Sequence, residues 1–327
     1  MAETVNIAKM AELLSTDLFG EFHWTRTGPM NTNWACEDAN HHKPTHPSDV
    51  VFFYDEPYLP ERTYVNCDLK SYARGSITSA AMRAAVESLA LSLACAEKSE
   101  EWQRLYVNTK FTPAICGLLF VYNHDGEYDR DFAGVMREIN VSTLRVPKGS
   151  KLVVLGPDRI FWLDNVKNDI LQMRGRGKLP SKDKCRFFYP DLVRRKLVQH
   201  QHAKAATLEM LTSPWIMLEY LQDDGQTRHG VDVYYRGPCE SEDEFMYLID
   251  WVLHYNIVRN DALVRIKTLA SDRLAPTYFE KAKEHYIGNF AGNGSAEMTK
   301  RLEVITYQQI PTVKTQFSDI NIGMGYD

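Results

Sequence analysis

The chain has 327 residues, 44% hydrophobic and 25% charged, with a formal net charge of −5, a composition that suits a globular protein long enough for two domains. It shows no internal repeat, no low-complexity tract and no apolar run approaching membrane-spanning length, so fibrous, disordered and membrane-embedded classes are set aside. The start Met1-Ala2-Glu3-Thr4 lacks the basic and apolar segments of an export signal, and Cys36, Cys67, Cys95, Cys116, Cys185 and Cys239 have no paired spacing; a cytoplasmic protein with reduced thiols is expected.

Residues 5 to 22 carry apolar side chains at Ile7, Met10, Leu13, Leu14 and Leu18, the recurrence of an amphipathic helix. A loop follows in which Cys36, His41, His42 and His46 gather. Such residues can bind zinc, yet without a Cys-x-x-Cys partner the stretch reads rather as an exposed loop able to contact phosphate. Then two β-branched and aromatic runs, Asp49 to Glu56 and Arg62 to Tyr72, flank the connection Pro57-Tyr58-Leu59-Pro60-Glu61, which predicts a hairpin. A turn centred between Tyr58 and Leu59 sets Asp49 across from Asp68, with Cβ atoms roughly 5 Å apart. Strand alternation turns Asp68 and Lys70 to one face, and Cys67 and Leu69 to the other. Two carboxylates so placed repel unless a cation sits between them, and a hard divalent ion with oxygen ligands, Mg²⁺ above all, suits the spot. Lys70 beside it can orient water and offset charge on a phosphate.

Residues 79 to 96 read as an Ala-rich helix packed on a sheet, and Ala114 to Tyr122 as a strand buried on both faces. With Pro47-Ser48-Asp49 and Asp68-Leu69-Lys70 in place, the first 125 residues or so resemble the PD-(D/E)XK nuclease superfamily, the restriction-endonuclease-like fold. The resemblance implies an αβββαβ core with a mixed sheet flanked by helices, thus an α/β and α+β protein with a further C-terminal α+β module. It also implies a Mg²⁺- or Mn²⁺-dependent endonuclease, acting on DNA more than RNA, in a restriction or anti-phage setting. The matching positions make Asp49, Asp68, Lys70 and a helical acid, Glu21 or else Glu12, the catalytic set. Asp49, Asp68, Glu21 and the Leu69 carbonyl are the implied metal ligands. Glu21 is preferred for its place at the helix end nearest the hairpin, after Gly20.

Charge is uneven: residues 1–144 carry −8, residues 145–204 carry +10 and residues 205–327 carry −7. The basic stretch holds Arg174, Arg176, Lys178, Lys182, Lys184, Arg194 and Arg195 interleaved with Phe187-Phe188-Tyr189. That pattern suits a nucleic-acid backbone with stacking on unpaired bases, and it suits an ordinary solvated surface equally. Arg74, just past the hairpin, is a further candidate phosphate contact. Within the stretch, Leu152 to Leu155 and Arg159 to Leu163 around Gly156-Pro157-Asp158 predict a second hairpin.

From about residue 205, runs at 215–221 and 230–235 bracket Asp223-Asp224-Gly225 as a hairpin. A helix over 242–254, a strand over 262–269, a helix over 278–286 and a strand over 302–307 follow, with a loop at 291–295 and a loose tail from Ser318. The expected division is a nuclease domain over 1–204, including a basic extension at 145–204, and a small α+β domain over 205–327. Being acidic and without a catalytic constellation, the latter reads as a protein-binding or homo-oligomerisation module. A net-negative nuclease with no sequence-reading domain is expected to act with a partner. The rival reading is a catalytically inactive nuclease-like component that binds nucleic acid or protein.

Overall fold

The computed structural model describes residues 2–190, 203–223, 227–258, 262–269, 271–289 and 295–315. Arg194 and Arg195 of the basic stretch, Asp224 and Gly225 of the expected turn, residues 291–294 and the tail from Ser318 lie outside them. The described residues fall into two compact units, those of Met1–Leu163, Lys196–Leu208 and Thr315–Asp327, and those of Asp164–Arg195 and Glu209–Lys314. The chain thus first passes between the units near residue 163, and much of the basic stretch belongs with the second unit.

The first unit opens with helix α1 (Ala2–Glu21), followed by β1 (Thr25–Thr27), β2 (Thr32–Ala35), β3 (Thr45–Ser48), β4 (Val50–Asp55) and β5 (Glu61–Tyr72). Helices α2 (Ser79–Ala96) and α3 (Glu100–Tyr106), strand β6 (Thr112–Asn123), helix α4 (Phe132–Arg137) and strand β7 (Leu152–Leu155) complete it, and helix α5 (Pro157–Gly175) leads out of it. The sheet runs β1-β4-β5-β6-β7, with β2 and β3 forming a separate ribbon. Pairing is antiparallel from β1 through β5, then parallel through β6 to β7. β6 is the apolar run expected to be buried on both faces: it pairs on both edges, and Leu118 to Val121 are fully buried.

The β4–β5 hairpin has the expected register, with Val50 opposite Cys67 and Asp55 opposite Arg62. Two helices cover opposite faces of the sheet. α1 lays Phe19 against Phe52 and Phe120, on the face shared with Val65 and Leu69. α2, capped by the Thr78 hydroxyl accepting from Ala81 N–H, covers the other face, where Asn66 donates to Ser92. A Cβ on Gly117 would stand 2.7 Å from a Leu93 methyl, so glycine lets α2 lie close on β6 without displacing that side chain. Contrary to the reading of the sequence, α2 is long and apolar enough to span a membrane, yet half of it is buried in this core.

The expected second hairpin is not formed. β7 is a strand, but Arg159 to Leu163 lie in α5, where Pro157 occupies the first turn and Asp158 complements the helix dipole.

The second unit contains β8 (Cys185–Phe187), α6 (Leu208–Thr212, begun in the first unit), β9 (Trp215–Asp223), β10 (Thr227–Tyr235) and α7 (Glu242–His254). β11 (Leu263–Thr268), α8 (Ala275–Gly288), α9 (Ser295–Glu303) and β12 (Ile305–Gln309) follow. The segment 302–307, read as a strand, is thus divided between the end of α9 and β12. Its sheet runs β12-β11-β10-β9-β8, antiparallel from β8 to β10 and parallel from β10 to β12. Strand directions and the placing of helices before the first strand, after the hairpin and before the last strand repeat those of the first unit. No repeat is visible in the sequence, so the likeness is one of topology.

The face of this sheet toward α7 and α8 is apolar, built on Val231, Val233, Val264 and Ile266. The other face meets α5 through charge. Lys267 Nζ lies 2.6 Å from Asp169 and 2.9 Å from Asp232, and Arg265 grips Asp232 at 2.6 and 3.0 Å. Tyr234 donates to Asp169 at 2.8 Å, and Arg265 to the Tyr220 hydroxyl at 2.7 Å. This set was not seen in the sequence.

Candidate active site

Asp49 stands between β3 and β4, and Asp68 and Lys70 are on β5, so the hairpin register alone brings the three together. The Leu69 N–H donates to Asp49 Oδ2 at 2.7 Å and fixes that carboxyl against the neighbouring strand. Lys70 Nζ donates to Asp68 Oδ1. Asp68 and Lys70 face α2, and a small cleft there is lined by Asp49, Asp68, Asn66, Ser88 and Ser92. Lys70 keeps 31% of its side chain exposed, so the ammonium can reach a ligand arriving from solvent.

Burial pushes the Asp49 carboxyl up to about 6, against the lowering effect of the Leu69 N–H; Asp68 raises it further by charge and hydrogen bonding. Burial also works against the Lys70 charge, but the Asp68 charge and hydrogen bond outweigh it, with Asp49 helping, and hold the ammonium above its ordinary value. The site carries more negative charge than Lys70 neutralises. In the same cleft Asn66 Oδ1 is buried with no hydrogen-bond partner among the described residues. Two carboxylates and an unsatisfied amide oxygen are the hard donors that Mg²⁺ or Mn²⁺ takes, so the residues fit such an ion.

The raised Asp49 value has a consequence for stability. The unfolded carboxyl ionises near 3.8, before the folded one does at about 6, so the fold loses stability as pH rises through that window. Asp49→Asn is therefore expected to stabilise the metal-free protein by about 1–3 kcal/mol near pH 8 and by almost nothing near pH 4. Thermal unfolding at the two pH values checks this; equal shifts at both contradict it.

Glu21 is the last residue of α1, which packs Phe19 on the opposite face of the sheet, and the groups acting most on Asp49 are Leu69, Asp68 and Lys70. Glu12 pairs with Lys9 at 2.7 Å. Arg74 follows β5 and pairs with Asp129 at 2.8 Å, while its backbone N–H donates to Asp125. Arg174, Arg176 and Lys178 sit at the end of α5 and just beyond it, and Lys182 and Lys184 begin and end a single 3-10 turn before β8; Arg176, Lys178 and Lys184 are exposed. The aromatics among them are not platforms for bases. Phe187, Phe188 and Tyr189 are 1%, 6% and 8% exposed and belong to the core of the second unit. Asn66, Ser88 and Ser92 escaped the sequence reading, because only the packing of α2 on the sheet brings helix hydroxyls beside a strand amide.

An antiparallel hairpin followed by a helix and a parallel strand, with paired acids and an Asp-x-Lys on its second strand, defines a PD-(D/E)XK domain. Residues 1–159 match the family model described as GAPS4 protein PD-(D/E)XK nuclease domain, the superfamily that this part of the sequence resembles. No curated protein matches the chain.

Proposed function

We propose that the protein is a Mg²⁺- or Mn²⁺-dependent endonuclease that hydrolyses phosphodiester bonds, in DNA rather than RNA, as a cytoplasmic effector of anti-phage defence. The observation that carries this reading is that Asp49 and Asp68 line one cleft, with Lys70 hydrogen-bonded to Asp68, within a segment that matches a nuclease-domain family. Asp49 and Asp68 hold the ion, with the Leu69 carbonyl as a further ligand. A divalent ion in that position polarises the phosphoryl oxygen and makes water a better nucleophile at neutral pH. The chain's own residues do the rest. The Leu69 N–H keeps the Asp49 carboxyl from turning away. Lys70 donates to the attacking water or to a phosphate oxygen and offsets the charge that develops there. Its bond to Asp68 is what holds it charged, so its proton becomes easier to release when Asp68 turns to a cation.

Arg74 contacts phosphate by exchanging Asp129 for the nucleic-acid backbone. Arg174, Arg176, Lys178, Lys182, Lys184, Arg194 and Arg195 add a sequence-independent grip. The net charge of −5 disfavours unaided binding to free nucleic acid, so a protein partner or a second copy, engaged through the second unit, delivers the enzyme to its substrate. The test is cleavage of plasmid DNA, single-stranded DNA and RNA by the full chain with Mg²⁺, Mn²⁺ or chelator. Cation-dependent cleavage of DNA ahead of RNA is expected. Cleavage that persists in chelator, or that is unchanged in Lys70→Ala, overturns it.

A further inference from the structure

Next to the hairpin lies a second cluster that the nuclease chemistry does not use. Cys36 follows β2, His41 ends a single 3-10 turn, His46 is in β3, and Cys95 is in the last turn of α2. His41, His46 and Cys95 are buried at 7%, 0% and 1% exposure. One ligand-capable atom from each residue turns inward, and the four lie within 4.8 Å of one another.

The distances decide what the cluster is for. Cys36 Sγ to Cys95 Sγ is 3.6 Å, and His41 Nδ1 to His46 Nε2 is 3.3 Å. The sulfur–nitrogen separations are 3.5 Å (Cys36–His41), 3.1 Å (Cys36–His46) and 3.2 Å (Cys95–His41). A tetrahedron with ordinary zinc–sulfur and zinc–nitrogen bonds has edges of about 3.8 Å between sulfurs, 3.3 Å between nitrogens and 3.5 Å between unlike atoms. Five edges of the cluster fall on or just inside those lengths. The outer shell fits as well. His41 Nε2 points to Asp38 Oδ2 at 3.7 Å, the carboxylate–imidazole arrangement that orients a ligating histidine. Burial holds the Cys95 thiol above its ordinary value, while the backbone N–H groups of Glu37 and Asp38 act in the opposite direction. His46 Nδ1 is buried with no partner among the described residues, and its other ring nitrogen is the one turned into the cluster.

We propose that Cys36, His41, His46 and Cys95 form a structural zinc site, distinct from the hydrolytic cation site. Four protein ligands close the coordination sphere, which marks the site as structural and not catalytic. Binding releases the two thiol protons and leaves a neutral centre, fitting for a buried position. The site ties the β2–β3 ribbon to the end of α2. Because His46 is three residues before Asp49, it anchors the segment that delivers the catalytic carboxylate. His42 is not part of it: it adopts a left-handed conformation at the end of the 3-10 turn and is exposed. The fourth ligand lies far down the chain in an Ala-rich helix, so the spacing of residues 36–46 reads as incomplete.

The test is metal analysis of the full chain purified without chelator, beside Asp68→Ala and Cys95→Ser. About one zinc per chain is expected in the parent and in Asp68→Ala, and a several-fold loss in Cys95→Ser. Since Cys95→Ser can fail for want of folding, cobalt substitution of the parent supplies a second readout: tetrahedral visible bands with thiolate-to-cobalt charge transfer are expected. A parent that carries no zinc and shows no charge transfer overturns the site, as does a Cys36–Cys95 disulfide found by thiol counting. Zinc lost in Asp68→Ala but kept in Cys95→Ser also overturns it, by assigning the metal to the hydrolytic centre.

Discussion

Asp68→Ala is expected to lower phosphodiester hydrolysis by about 10³-fold, with the fold intact. A carboxylate that holds a catalytic cation supplies several kcal/mol of charge stabilisation, and each ~1.4 kcal/mol is a factor of ten in rate. Lys70→Ala is expected to cost about 10²-fold, the usual effect of removing one donor aimed at developing charge. The two variants differ in a second way. Lys70 lowers the Asp49 value and Asp68 raises it, so the Asp49 titration, already at about 6, moves up in Lys70→Ala and down in Asp68→Ala. Initial rates on a labelled duplex and NMR titration of the Asp49 carboxyl check both statements. Equal rates in parent and variants would remove the enzyme reading, whereas lost activity with an unmoved Asp49 titration would deny that the three groups share one field.

Lys267→Met is expected to destabilise the second unit by about 3–5 kcal/mol, the cost of leaving partners of a buried ion pair uncompensated. Lys267 and Asp232 are both fully buried, and the ammonium bridges Asp232 and Asp169. Its removal leaves Arg265 alone against two carboxylates, in a place where burial already holds the Tyr234 hydroxyl well above its ordinary value. Asp169→Asn in the Lys267→Met background should recover part of the loss by removing one of the stranded charges. Chemical denaturation of the parent, the single variant and the pair measures the coupling. A loss under about 1 kcal/mol, or no recovery in the pair, contradicts the network as drawn. The network is not a second copy of the hydrolytic site. It lies on the sheet face covered by α5, whereas Asp68 and Lys70 lie on the face covered by the helix after the hairpin, and Tyr234 follows Asp232 where Lys70 follows Asp68.

The parts of the fold that could be read from residues alone are those set by local chemistry. Alternation and a Pro-bounded turn gave the β4–β5 register to the residue, and with it the Asp49, Asp68 and Lys70 cluster. The helix Ser79–Ala96 announces itself by its Ala-rich run, and Glu242–His254 by its cap and first-turn acids. What failed depends on tertiary placement. α5 was missed because it buries Asp164, Lys167 and Asp169 against a charged surface, so no apolar stripe marks it. Gly156-Pro157-Asp158 resembles a turn and is a helix start. Phe187 to Tyr189 look like stacking groups beside lysines and are core. His41 and His46 looked like an exposed loop because Cys95, which completes their cluster, arrives from another element.

Calorimetric titration of Mn²⁺ into the zinc-retaining full chain, parent against Asp68→Ala, tests the central claim most directly. One Mn²⁺ bound per parent chain, strengthening as pH rises through about 6 and lost in Asp68→Ala without change in zinc content, is the result the geometry predicts. Equal Mn²⁺ affinity in the two proteins, or a parent that takes up none at about millimolar concentration, would contradict the convergence of Asp49 and Asp68 on a shared cation.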